Sequence, residues 1–128
     1  MDTQTRPAQA VIEEKMREIV NYGNYEAVYL FSTEGLYIAR AEADGHVDPD
    51  RLAEISLLFT DIRRLATTIG SIDRLKEVFM EGYNRSKIIF RFFRAFEEDV
   101  VLAAVIPPGR TYRKHTNDLQ RLINAIQF

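Results

Sequence analysis

Val100-Val101-Leu102-Ala103-Ala104-Val105-Ile106 decides the fold of this chain. A continuous apolar run of strand length carries no polar face to give to water. It therefore reads as a central strand with helices above and below it. Working back from it, Lys87 to Arg94 is a second strand, joined through an acidic turn at Glu97 to Asp99. Asp73 to Glu81 is a third, joined through Gly82-Tyr83-Asn84-Arg85. Its core, Arg74-Leu75-Lys76-Glu77-Val78-Phe79-Met80-Glu81, is strongly charged, which suits the edge of a sheet, where unpaired backbone groups are protected by charge or used for pairing.

Further upstream, Glu26–Ser32 and Leu36–Glu42 are rich in Tyr, Phe, Val, Leu and Ile, and the short Thr33-Glu34-Gly35 connection makes them a hairpin. Three amphipathic helices separate and flank these strands. The first runs from Pro7 to about Tyr22 on Val11, Ile12, Met16, Ile19 and Val20, and Gly23 is expected to close it in the left-handed conformation. The second follows the loop Ala43–Val47, opens with Asp48 as N-cap and Pro49 at the first helical position, and runs to about Ile69 before Gly70. The third follows Pro107-Pro108-Gly109 and presents Tyr112, Leu119, Leu122, Ile123 and Ile126 on one face. The order is α-β-β-α-β-β-β-α. Its fold class is α/β in the broad sense (α+β), a three-layer α/β/α sandwich on a five-stranded antiparallel sheet.

The second helix is unusually rich in apolar residues. At 100° per residue, Leu52, Ile55, Phe59, Ile62, Ala66 and Ile69 form a stripe, and Leu58 and Leu65 widen one flank to roughly 140°. Two readings stand: both flanks bury against the chain's own strands, or the Leu58 and Leu65 flank meets a second subunit. Leu57 points to the opposite side, either as a lone exposed leucine or as part of a partner contact.

At 128 residues the chain fits one domain, with residues 1–6 read as a flexible lead. Hydrophobic residues at 46% and charged residues at 28% are ordinary for a globular protein. The absence of cysteine removes disulfides, thiolate nucleophiles and cysteine zinc sites. No apolar stretch is long enough to span a bilayer, and Met1–Ala10 lacks the pattern of a secretory signal, so a cytoplasmic location is expected. A net charge of -2 argues against nucleic acid as the main partner. The short runs Arg63-Arg64, Arg110 to Lys114 and Glu97 to Asp99 read as solvated faces or turns.

Chemistry is sparse. His46 sits in a polar loop, and His115 falls on the apolar stripe of the last helix, where a structural imidazole is expected. No HExxH, Gly-rich phosphate loop, GxSxG or EF-hand pattern occurs. Gly109 followed by basic residues opening a helix is a weak anion signal. Catalytic residues, cofactors and metals are accordingly expected to be none, and the chain is read as a binding protein rather than an enzyme. A small-molecule sensor is a rival reading, with Tyr29, Phe31, Tyr37, Phe90 and Phe92 available to line a cavity or, alternatively, to fill the core.

The hairpin from Tyr25 to Ala39, turning at Glu34-Gly35, the run Leu75-Lys76-Glu77-Val78-Phe79-Met80-Glu81-Gly82, the apolar strand Val100–Ile106 and the closing helix together resemble the roadblock family. That family includes roadblock-type dynein light chains, Ragulator scaffold subunits, and bacterial and archaeal regulators of Ras-like GTPases. The likeness spans roughly Pro7 to Ile126. It implies a homodimer joined through the third strand into a ten-stranded sheet, with the long helices side by side. Leu58, Ile62, Leu65, Leu75, Glu77, Val78, Phe79 and Met80 would then lie at the dimer interface. It also implies docking of a small Ras-like GTPase on the face of the paired helices, with Leu57, Asp61 and Arg64 as the candidate contacts. Regulation of GTP hydrolysis would act through the GTPase's own active site. An adaptor in the same fold for another signalling or motor protein is the alternative.

Overall fold

The computed structural model describes residues 7–43, 47–70, 75–82 and 84–126. The lead 1–6, His46, and Asp73 and Arg74 of the expected third strand lie outside the described residues. The elements are α1 (Ala8–Gly23), β1 (Ala27–Ser32), β2 (Tyr37–Glu42), α2 (Pro49–Ala66), which tightens into a 3-10 turn at Thr67–Ile69, β3 (Glu77–Glu81), β4 (Lys87–Ala95), β5 (Glu98–Ile106) and α3 (Arg113–Ala125). All strand pairs are antiparallel, in the order β2-β1-β5-β4-β3. The apolar strand is thus central, as expected, and β3 is an edge.

Strand alternation divides the core in two. Val28, Leu30, Leu102 and Ala104 face α1 and α3, which contribute Ile12, Met16, Leu119 and Ile123. Tyr29, Phe31, Phe90, Phe92, Val101 and Ala103 face α2, which brings Leu52, Ile55 and Phe59. The aromatic residues that could have lined a ligand cavity instead pack on one another. The Tyr29 and Phe31 rings stack at 5.5 Å, and Phe59 meets Phe90 at 5.0 Å. Tyr37 stays half-exposed, edge-on to Tyr29.

Several local details differ from expectation. Asn24, not Gly23, takes the left-handed C-cap conformation of α1, with φ 57°. Gly23 serves space instead: a Cβ there would lie 2.8 Å from a ring carbon of Tyr25. That ring is buried, and its hydroxyl donates to the Thr111 carbonyl at 2.9 Å. The acidic turn is tighter than expected. Phe96 and Glu97, both at positive φ, make a two-residue hairpin, and Glu98 and Asp99 already belong to β5. Leu75 precedes β3 rather than lying inside it.

The two sheet edges are treated differently. Ala43 N–H bonds Glu26, which fixes the ladder phase so that Arg40 and Glu42 turn their backbone groups outward from β2. The Glu13 carboxylate of α1 accepts the Arg40 N–H at 3.0 Å. On β3 the same phasing, set by Gly82 N–H to Ser86 and Phe92 N–H to Lys76, turns the backbone groups of Glu77, Phe79 and Glu81 outward.

Candidate interaction surface

The surface is built on α2. Asp48 caps its start by accepting the Asp50 N–H at 3.0 Å, and Pro49 presets the first turn. The helix is then clamped from two sides. Leu57 rests against Gly35 in the β1–β2 turn, where a Cβ would come within 3.1 Å of Leu57 Cδ1. On the other side the Arg63 guanidinium donates to Asp99 at the start of β5 at 2.9 Å. Arg63 is therefore a part-buried tie, not one of two solvated basic residues.

This clamp sets which residues meet the sheet. Leu52 and Ser56 are buried, Phe59 is half-buried, and Arg63 continues the same line. The expected stripe is thereby split. Ile62 and Ile69, placed in its centre by the sequence, leave the sheet and join Leu58 and Leu65 in the open, with Leu58 61% and Leu65 64% exposed. Spacings of four, three and four put these side chains on one face of the helix. The reading in which both flanks bury against the chain's own strands is overturned.

Beside this stripe lies β3. Val78 is half-buried on the α2 side, with Leu75 packed near it. Met80 is exposed and lines an open recess of about 260 Å³ with Ile88 and Val105. Phe79 points to the other face, 46% exposed, and meets the Tyr112 ring at 6.1 Å. Glu77 is held by Arg91 at 3.0 Å. The structure thus brings together Leu58, Ile62 and Leu65 on one helix face, and places Leu75, Glu77, Val78, Phe79 and Met80 along the free edge of the sheet.

Leu57, Asp61 and Arg64 occupy a different face of α2. Leu57 is partly covered by the hairpin turn, and Asp61 and Arg64 pair with each other at 3.4 Å in the open. Sequence reasoning missed Leu36 and Tyr37, which are exposed just beyond Gly35. The available signal was an apolar pair directly after a turn glycine.

Titration shifts lie away from this surface. Burial pushes the Tyr25 phenol up to about 12. Burial, with a smaller contribution from the neighbouring Glu42 carboxylate, does the same for Tyr29. His115 packs edge-on against Tyr25 at 5.6 Å. Among the described residues no group of His, Asp and Glu is placed to hold a metal ion. No described helix is long and apolar enough to cross a membrane.

No protein-family model and no curated protein sequence matches the chain. Solved structures do. MglB of Myxococcus xanthus superposes with a TM-score of 0.74 at 18% identity, over 89% of this chain and 92% of that one. The chain has the roadblock fold. An MglB with a tetrameric arrangement matches at TM-score 0.71 and 17% identity, over 95% and 89% of the two chains. A roadblock/LC7 domain from Streptomyces avermitilis matches at 0.68 and 17%, over 87% and 90%. Within the roadblock fold, the surface described above is formed by the long second helix and the third strand.

Proposed function

We propose that the chain is a non-enzymatic, homodimeric adaptor that binds a small Ras-like GTPase and modulates its GTP hydrolysis. The observation that carries this reading is the stripe Leu58, Ile62, Leu65 and Ile69, exposed beside the open edge of β3. An apolar stripe next to a row of unpaired strand groups suits a second copy. β3 would pair with β3, and the two α2 helices would lie side by side over the joined sheet. Leu58, Ile62, Leu65, Leu75, Glu77, Val78, Phe79 and Met80 form this interface.

The GTPase part of the reading is supported by the likeness to MglB structures and by the sequence resemblance to bacterial and archaeal GTPase regulators. Leu57, Asp61 and Arg64 lie off the dimer stripe and remain available to the GTPase in the dimer. Three charged or apolar groups on one helix face are the contacts to test.

The experiment titrates the purified chain with small Ras-like GTPases of its source organism, each loaded with GDP or with a non-hydrolysable GTP analogue. Binding of the GTP-analogue form is expected, and it is expected to weaken in Leu57→Glu and Arg64→Glu variants that remain dimeric. Nucleotide-independent binding, or none, removes the GTPase assignment and leaves an adaptor for another signalling or motor protein.

A further inference from the structure

We propose that the basic end of α3 is a docking surface for an anionic phospholipid bilayer. Elsewhere on the chain many cations are neutralised: Arg63, Arg91, Arg94 and Arg121 each meet a carboxylate. Arg85, Lys87, Arg110, Arg113 and Lys114 form no ion pair among the described residues, and all five lie at one end of the sheet. Lys87 Nζ donates to the Arg110 carbonyl at 3.3 Å, joining the start of β4 to the β5–α3 connection. The Arg113 guanidinium lies over the Tyr112 ring at 5.6 Å, and that ring meets half-exposed Phe79. The adjoining acidic groups are Glu81, opposite Lys87 across the β3–β4 pair, Glu26, bonded through its backbone to Val105 at the same end of the sheet, Glu77, which accepts from the Tyr112 hydroxyl but is held by Arg91, and Asp118, tied to Arg121.

The shape of the patch selects the partner. Its cations spread over a turn, a loop and the first turn of a helix, and all but Lys87 are exposed. Such a surface suits a plane of headgroups, and the Tyr112 ring beneath the Arg113 guanidinium suits the interfacial region of a bilayer. Nucleic acid is less favoured, because the chain as a whole carries -2 and its cations outside this end are largely paired. α3 and α2 cover opposite faces of the sheet, so a chain lying on a membrane through this patch keeps Leu58 and Leu65 clear.

The test is co-sedimentation of the full chain with vesicles of phosphatidylglycerol in phosphatidylcholine, and with vesicles of phosphatidylcholine alone. Binding is expected only to the anionic vesicles, and it should weaken as salt screens the charge. Each cation near the surface contributes about fivefold in partitioning, so the triple variant Arg110→Glu, Arg113→Glu, Lys114→Glu is expected to lose at least about a hundredfold. Arg51→Glu, an exposed change on α2, is expected to bind as wild type. If the triple variant unfolds, the milder pair Lys87→Gln and Lys114→Gln carries the test, with about a 25-fold loss expected. Wild-type chain that stays in solution, or a triple variant that binds equally well, overturns the proposal. So does tighter binding to a DNA duplex than to the anionic vesicles at matched salt. The patch lies within one chain, so failure of the dimer reading would lower avidity without abolishing vesicle binding.

Discussion

Leu58→Ala tests the dimer through a single side chain. Leu58 is 61% exposed in the single chain, so that fraction is what a second copy can cover. Fully burying a leucine side chain contributes about 2 kcal/mol, and covering the exposed part contributes about 1.2 kcal/mol per protomer. Alanine keeps about a third of this, leaving a loss of about 0.8 kcal/mol. In an isologous interface each side chain counts twice, so the dimer loses about 1.6 kcal/mol, or about 15-fold in dissociation constant. The isolated fold should be nearly indifferent, because the side chain it loses already stands in water; its stability should move by less than about 0.5 kcal/mol. Sedimentation equilibrium over a concentration series reads the first number, and denaturant melts below the dimer dissociation constant read the second. Arg64→Ala, an exposed change turned well away from Leu58 and Ile62 on α2, is the matched control. An unchanged dissociation constant in Leu58→Ala would refute the interface, and a large loss of monomer stability would show that the stripe serves the chain's own core.

Gly23→Ala should destabilise: two ring carbons of buried Tyr25 lie 2.8 and 2.9 Å from the new Cβ. Overpacking of about 1–3 kcal/mol then outweighs the gain of up to about 1 kcal/mol from replacing a helical glycine, and a raised melting temperature would show that the ring yields. Ser56→Ala should stabilise by about 1 kcal/mol in a denaturant melt, since the Ser56 hydroxyl is buried without a partner and alanine is the better helix former; a loss would reveal a hydrogen bond to that hydroxyl. The tyrosine phenols also set an alkaline limit. Burial raises Tyr25 from 10.0 to about 12 in the folded chain, so its stabilising share is complete below pH 10.0 and is lost as pH rises to about 12. Stability measured across that window should fall, and Tyr29→Phe, which removes a second phenol raised in the same way, should flatten the fall.

Much of the architecture could be read from periodicity alone, because each face of a strand or helix must choose between core and water. The unbroken run Val100–Ile106 placed itself at the centre of the sheet, and the charged segment around Glu77 placed itself at an edge. The partition of α2 could not be read in this way. Apolar residues cover more than one face of that helix, and the rotation about its axis is set by two contacts distant in sequence: Leu57 on Gly35 and Arg63 on Asp99. Neither carries a local signature. Gly23 shows a similar limit, since a glycine after a helix suggests a backbone need, whereas here the need comes from a tyrosine ring two residues on. The unpaired state of the cations around Arg110 was likewise hidden, because pairing depends on which carboxylates the fold brings near.

The Glu13 contact at the outer side of β2 has a consequence for how large an assembly can grow. An open sheet lengthens whenever its last strand offers unoccupied amides to another chain. At this end the Arg40 amide is already taken by a carboxylate, which can neither donate a hydrogen bond nor extend the ladder. In the proposed assembly joined at β3, each outer strand would carry this block at one of its outward amides. Such an assembly would stay finite, and the carboxylate that hinders its growth into a fibre would be one supplied by the first helix.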